Sequence, residues 1–379
     1  MRWSKHGPNA QRNIAGHNTH PIARASGGPI SPASVYPLAS AQNLATSALS
    51  MEVVMTRFIR RVAIIVSAFA LAVPGSAVMA QSAKEVRVDW ATYNPVSMLL
   101  KDKGFLEKEF AKDGVTVRWV QTVSSANALQ FLNAGSIDLG STAGSAALIA
   151  RINGNPIKSV YVYSRPEWTA LVVTKDSKIA KLEDLRGKKI AMVRGTDPHI
   201  FAVRALLSVG ITEKDYTPVL VQQHIDGGTA LIRGDVDAWA GLDPGMAQFE
   251  VKEGARLFYR NPAANTWGIL NAREEFAKDN PQFVRRVIAA YEKARKYSLA
   301  NYDELKKIFI GVTKLDEAVV DKQLKERTEL THNRVGPAQR ESILEAGIAL
   351  QKAGVIKPEV NVSQAVDDLI DDRYVAATN

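Results

Sequence analysis

Residues 230–245 read ALIRGDVDAWAGLDPG. An apolar helix end runs into Gly234, the residue type that most often closes a helix in the left-handed region. Asp235, Val236 and Asp237 lead into a short run, 238–242, whose length and apolar character suit a buried strand. Small residues around Pro244 and Gly245 then open another helix. About a hundred residues earlier, residues 130–144 read QFLNAGSIDLGSTAG and repeat the order: helix end, Gly135, a polar residue, a β-branched residue, Asp138, strand, small residues. One helix–Gly–Asp–strand–helix unit used twice predicts two α/β lobes, one copy in each.

The flanking segments agree. Residues 86–91, 115–121, 137–141 and 157–164 read as strands, separated by helical spacing at 95–111, 125–133 and 143–153. This succession predicts a parallel sheet covered by helices. A second series follows: strands at 170–175, 188–193, 217–222, 238–242 and 256–259, with helices at 198–209, 228–233 and 245–253. Residues 266–271 are expected to rejoin the first sheet. Apolar residues spaced three and four apart place helices at 283–300, 302–310, 317–328 and 337–353, with a short one near 362–370. The chain therefore crosses twice between lobes, near 164–168 and 259–267. The expected domains are a first lobe of 84–164 with 265–379, including the C-terminal helices, and a second lobe of 168–259. Two crossings make a hinge with a cleft, and in open α/β sheets guests lie beyond the carboxyl ends of the strands.

The 379 residues carry a formal charge of +9. Seven of the basic residues and one acid, Glu52, fall within residues 1–80, so the remainder carries only +3. No Lys/Arg block tracks phosphates there, and no nucleic-acid partner is expected. Residues 55–80 read MTRFIRRVAIIVSAFALAVPGSAVMA. Three arginines, an apolar run and a Pro-Gly break before Val78-Met79-Ala80 form an export signal, with cleavage expected after Ala80 and Ala77 as the second choice. The apolar run is shorter than the roughly 20 residues of a permanent span, so the mature protein is expected to be soluble in the periplasm. Residues 1–54 are rich in Ser, Ala and Pro, and read as a non-native or disordered extension before the true start at Met51 or Met55.

The chain has no cysteine. That excludes disulfides, thiolate metal sites, a cysteine nucleophile and a lipid-anchoring cysteine. His199, His224 and His332 lack the spacing of a zinc pair, and no nucleophile elbow, phosphate loop or dinucleotide fingerprint occurs. No metal, cofactor or catalytic residue is expected, and the chain is read as a non-enzyme.

The candidate site lies in loops after strands: 93–95, 123–125 and 141–144 in the first lobe, 194–199 and 241–244 in the second. Ser124, Thr142 and Thr196 stand where a hydroxyl either caps a helix or donates to a guest. Several helix starts converging would hold a sulfonate or carboxylate on free amides without a buried arginine. Trp239 is either a wall for the guest's carbon part or a core residue. Asp243 either accepts from a guest or caps the helix at Gly245. Arg165 and Trp168 sit at the first crossing, and Asp138 and Asp237 are read as fixing turns.

The stretches YNPVSMLLKDKGFLEKEF, NAGSIDLGSTAGS, KLEDLRGKKIAMVRGTDPHIFAVRALLSVGI and GDVDAWAGLDP together resemble the aliphatic sulfonate and taurine binding proteins of ABC importers, in the wider nitrate/sulfonate/thiamine-precursor group. The likeness covers roughly 84–300. It implies a type II periplasmic binding fold that takes a small anionic organic ligand by hinge closure and delivers it, as a monomer, to a membrane permease. It points to Asn94, Thr142, Gly144, Gly195, Thr196, His199, Trp239 and Asp243 as ligand residues, beside Ser124. The sequence departs from the family pattern at Pro198 and in the run AGLDP. Nitrate, a thiamine pyrimidine precursor or an aromatic carboxylate are alternative ligands. Related enzymes on this scaffold, a desulfinase and the thiamine-pyrimidine synthases, rest on cysteine chemistry that this chain lacks. The effector domain of a regulator would need a DNA-binding segment where the export signal stands.

Overall fold

The computed structural model describes residues 83–374. The expected extension at 1–54 and the export signal at 55–80 lie outside the described residues. The first lobe opens with β1 (Glu85–Trp90), α1 (Pro95–Asp102), α2 (Phe105–Phe110), β2 (Thr116–Gln121), α3 (Ser125–Asn133), β3 (Leu139–Ala143), α4 (Gly144–Ile152) and β4 (Ile157–Pro166). The second contains β5 (Thr169–Val173), β6 (Lys189–Met192), α5 (Asp197–Ser208), β7 (Thr217–Leu220), α6 (His224–Arg233), β8 (Ala238–Leu242), α7 (Gly245–Glu253) and β9 (Arg256–Tyr259). The chain then returns through β10 (Gly268–Arg273), α8 (Glu274–Asp279), α9 (Pro281–Ala300), α10 (Tyr302–Thr313), α11 (Glu317–Glu326), β11 (Thr328–Glu329), α12 (Pro337–Lys352) and α13 (Val362–Leu369).

Two sheets result, ordered β11-β4-β10-β3-β1-β2 and β7-β6-β8-β5-β9. The expectation of a parallel sheet needs correction. β1 pairs in parallel with β2 and β3, and β6 with β7 and β8. However, β10 runs antiparallel to β3 and β4, and β5 antiparallel to β8 and β9. The reason is the double crossing: β5 enters its sheet from the other lobe, as β10 does, so each starts at the cleft where its parallel neighbours end. The expected return of the chain to the first sheet is the strand β10.

The repeated aspartates show what the repeated sequence is for. Asp138 donates its amide to the Arg87 carbonyl at 2.8 Å and accepts the Arg87 amide on its carboxylate at 3.0 Å. Asp237 does the same with Lys189, at 2.9 and 2.8 Å. Each one ties the start of a central strand to its neighbour and so sets the register at the end of the sheet away from the cleft.

A second correction concerns α6. The helix expected at 228–233 begins four residues earlier, at His224. Its two glycines are there for close approach. A Cβ on Gly227 would lie 2.5 Å from the Trp239 ring, and one on Gly228 would lie 2.1 Å from the Phe249 ring. Trp239 is completely buried and packs edge-on against Phe249 at 5.6 Å, which fills the space between β8 and the two helices.

The C-terminal helices touch both lobes. α9 lies over the first sheet, with Tyr291 5.8 Å from Tyr161, whereas α11 packs on α7, and α12 packs on both α4 and α5.

Candidate functional site

A cavity of about 400 Å³ opens between the lobes. Thr92 and Tyr93 line it from the end of β1, and Gln121, Thr122 and Val123 from the end of β2. From the second lobe come Gln223, His224 and Ile225, at the start of α6, and the run from Leu242 to Gly245 with Gln248. The carboxyl ends of strands from both sheets thus face one space, as the topology of open α/β sheets directs. Thr313 and Leu315 close one side. A narrow recess beside it is bounded by Tyr93, Ser125, Trp168, Thr196, Asp197, Pro198, His224 and Leu242. Among the described residues, no lysine or arginine lines either hollow.

The first-lobe wall rests on a buried carboxylate. Asp89 accepts from the Ser141 amide at 2.9 Å, the Ser141 hydroxyl at 2.9 Å and the Thr122 hydroxyl at 2.8 Å. Burial outweighs these donors and pushes its pKa up to about 6. The Tyr93 hydroxyl lies 3.0 Å from Thr122 Oγ1 and donates to the Ser141 carbonyl at 3.0 Å. This network fixes Tyr93 and Thr122, two of the polar side chains that the first lobe presents to the cavity.

The sequence-derived candidates fall into three groups. Thr196 and Asp243 line the hollows. Thr196 does not cap its helix; its hydroxyl donates backwards to the Val193 carbonyl at 2.7 Å. Asp243 caps α7 by accepting the Ala247 amide at 2.9 Å, and it also accepts from Arg327 at 3.1 and 3.2 Å. Glu250 pairs with the same guanidinium. Asp243 is 1% exposed, and desolvation raises its pKa to about 6 in spite of the arginine. Ser124 caps α3 through the Asn127 amide at 3.2 Å, at the edge of the cavity.

A second group is committed inside the lobes. Asn94 caps α1 by accepting the Ser97 amide at 3.1 Å, and donates to the Ser141 hydroxyl at 2.7 Å. Thr142 accepts from Asn271 at 2.7 Å. Gly144 is pressed against the Thr266 carbonyl and Ile343, where a Cβ would come within 2.6 Å of each. Trp239 takes the core role, with its indole nitrogen unpartnered.

The third group is the turn at the start of α5. Gly195 adopts φ +77° and donates its amide to His199 Nδ1 at 3.3 Å. His199 is 2% exposed, and burial lowers its pKa despite Glu213 at 3.5 Å. Arg165, at the first crossing, is a half-exposed surface side chain stacked over Trp267.

Two features at the cleft had no reading from the sequence. The first is His224, which is 8% exposed and has no hydrogen-bond partner at either ring nitrogen among the described residues. Burial drives its pKa down to about 3, so the ring is neutral, with one donor and one acceptor that are both buried. The amides of His224 and Ile225, the first of α6, likewise lack a protein acceptor among the described residues. The signal was present as the Gln223–Asp226 spacing of a helix start, where the Gln223 amide donates to Asp226 at 3.3 Å, but the glycine pair hid it. The second is Asp197, at the first position of α5. It gathers donors from Ser145, Trp168 and Thr266, three residues that no local pattern connects.

The expectation of free amides at the start of α4 also needs correction. Gly144 donates to the Thr266 carbonyl at 3.0 Å, and Ser145 to the Thr266 hydroxyl at 2.9 Å. Those amides are taken up by the returning crossing. Among the described residues no three His, Asp or Glu side chains gather as a metal site, and no helix is long and apolar enough to cross a membrane.

Comparison with known proteins agrees with this architecture. The NMT1/THI5-like family matches residues 98–305. A putative aliphatic sulfonates-binding protein of Escherichia coli is 30% identical over 227 residues, spanning 59% of this chain and 70% of that protein. The protein of the same description in Bacillus subtilis is 25% identical over 265 residues, 68% of this chain and 80% of its own length. Among solved structures, the alkanesulfonate-binding protein SsuA of Xanthomonas axonopodis, bound to MOPS, superposes with a TM-score of 0.69 at 24% identity, over 77% of this chain and 99% of that one. That likeness establishes the type II periplasmic-binding fold. The chain belongs to the NMT1/THI5-like family, alongside relatives described as aliphatic sulfonate-binding proteins.

Proposed function

We propose that the chain is the periplasmic solute-binding component of an ABC importer, that it captures a small organosulfonate between its lobes by hinge closure, and that it hands the ligand to a membrane permease. It acts as an exported monomer and performs no chemistry on the ligand. The observation that carries the reading is the cavity walled from both lobes at the carboxyl ends of strands, with relatives of the same architecture described as sulfonate-binding. In this reading the anionic head meets the start of α6. There the free amides and the positive end of the helix dipole favour negative charge, and the neutral His224 ring donates a hydrogen bond. Thr196 and Asp243 belong to the walls, whereas Asn94, Ser124, Thr142, Gly144, Gly195, His199 and Trp239 hold the loops that shape them. Val123, Ile225 and Leu242 receive the carbon part. The closing motion is a rigid-body rotation about the two crossings.

Isothermal titration with taurine, a chain-length series of alkanesulfonates and nitrate tests the ligand class. Heat from at least one sulfonate and none from nitrate is expected; silence across the whole series removes the assignment. Small-angle scattering with saturating ligand should show a smaller radius of gyration, and an unchanged radius would count against hinge closure.

A further inference from the structure

The recess beside the main cavity is bounded by a buried carboxylate, that of Asp197. Asp197 Oδ1 accepts from the Ser145 and Thr266 hydroxyls, each at 2.6 Å. Its Oδ2 accepts from the Trp168 indole at 2.9 Å and the Thr266 amide at 3.3 Å. The residue is 2% exposed, and no basic side chain pairs with it among the described residues. Four donors and a helix start therefore solvate one buried anion without a counter-charge. Ser145 opens α4 in the first lobe, Trp168 and Thr266 lie on the two crossings, and Asp197 opens α5 in the second lobe. A helix start from each lobe and both crossings thus meet at this one group.

We propose that Asp197 is a built-in anion that determines specificity: it occupies the inter-lobe oxyanion seat, so that the head of the guest is excluded from it and must be read by His224 instead. This inference rests on the organosulfonate reading and deepens it. An anion brought beside Asp197 would face a like charge whose donors are already used. His224 lines the same recess and the main cavity, with both ring nitrogens buried and without a partner among the described residues, so the unsatisfied hydrogen-bonding capacity lies on its side. The consequence is a preference for guests with a carbon body long enough to span the cavity. Bare oxyanions such as sulfate or methanesulfonate gain little, because the four-donor seat that would suit them is filled.

The test replaces the carboxylate and supplies it from solution. Asp197→Ser, in the full chain, leaves four donors around an open seat. Calorimetric titration with methanesulfonate should then show binding at least about tenfold tighter than in the wild type, since charge-assisted hydrogen bonds are among the stronger polar contacts. Asp197→Asn keeps the seat filled by an amide and should gain no such binding. If Asp197→Ser does not fold alone, refolding from urea in methanesulfonate should rescue it, with dimethyl sulfone as the uncharged control giving no rescue. Equal methanesulfonate affinity in the wild type and Asp197→Ser, or no rescue, overturns the proposal. A wild type that binds longer sulfonates while Asp197→Ser gains nothing leaves the function standing and sinks only this inference. A gain in Asp197→Ser with a wild type blind to every sulfonate shows only that the carboxylate fills an anion seat, and overturns both the specificity role and the organosulfonate reading.

Discussion

Replacing His224 by glutamine should remove most of an acid sensitivity that the wild type shows between pH 7 and pH 5. Burial lowers the folded-state pKa of His224 to about 3, while an unfolded histidine titrates near 6.5. A depressed pKa contributes stability that is present above the unfolded value and lost as the pH falls towards the folded one. At pH 7 the unfolded side chain is mostly neutral; at pH 5 it is almost fully protonated, while the folded ring remains neutral. Proton linkage across that interval costs the folded state about 2 kcal/mol. Continued to pH 3 the loss approaches roughly 4–5 kcal/mol. Asp89 and Asp243, each pushed up to about 6, act with the opposite sign: their contribution is present below the usual carboxylate range and lost as the pH rises through 6. They titrate in both proteins, so they drop out of the difference between them. The assay is urea unfolding of the wild type and His224→Gln at pH 7 and pH 5, followed by circular dichroism. The wild type should lose about 2 kcal/mol more than the variant. Equal losses in the two proteins, to within about 0.5 kcal/mol, would show that the ring is hydrated or paired and would refute the account of His224 as a buried neutral group at the cleft.

Gly228→Ala should lower stability by about 1–3 kcal/mol, read as a reduced urea midpoint, because its Cβ would sit 2.1 Å from Phe249. Arg327→Met strips Asp243 and Glu250 of their partner and should cost about 3–5 kcal/mol at pH 7; at pH 5 the cost should shrink, because Asp243 takes up a proton there, and Arg327→Met with Asp243→Asn should recover part of it. Asp138→Ala should lower stability to urea more than Asp237→Ala, by about 2–3 kcal/mol against under about 1 kcal/mol. Both clamp a central strand, but Asp138 is 1% exposed and also pairs with Arg87 and Arg273, whereas Asp237 is 40% exposed.

The paired units at 130–144 and 230–245 made the two-lobed fold legible, because a glycine at a helix end, an aspartate before a strand and small residues after it are local requirements written in adjacent residues. The same reading located most strands and helices, including the return, expected at 266–271 and standing at 268–273. It could not show the direction of β5 and β10, because a strand's own sequence does not record which lobe it arrived from. Nor could it extend α6 back to His224: a Gly-Gly pair reads as a break unless the rings of Trp239 and Phe249 are known to lie on it.

The site divides along the same line. The loops after strands were identifiable, since strand ends are set by topology, and Thr196 and Asp243, which stand in them, line the hollows. Whether a hydroxyl or amide in such a loop is free is a different matter. Thr266 takes the amides of Gly144 and Ser145 from more than a hundred positions away, and Asp197 draws Ser145, Trp168 and Thr266 to itself from three separate segments. The sequence by itself determined a chain of two α/β lobes crossed twice, because helix and strand periods and their end signals act over a few residues. Only the tertiary structure decided which polar groups remain for a guest, because hydrogen-bond capacity is used up by whatever the fold brings within 3 Å, and those partners are distant in the chain.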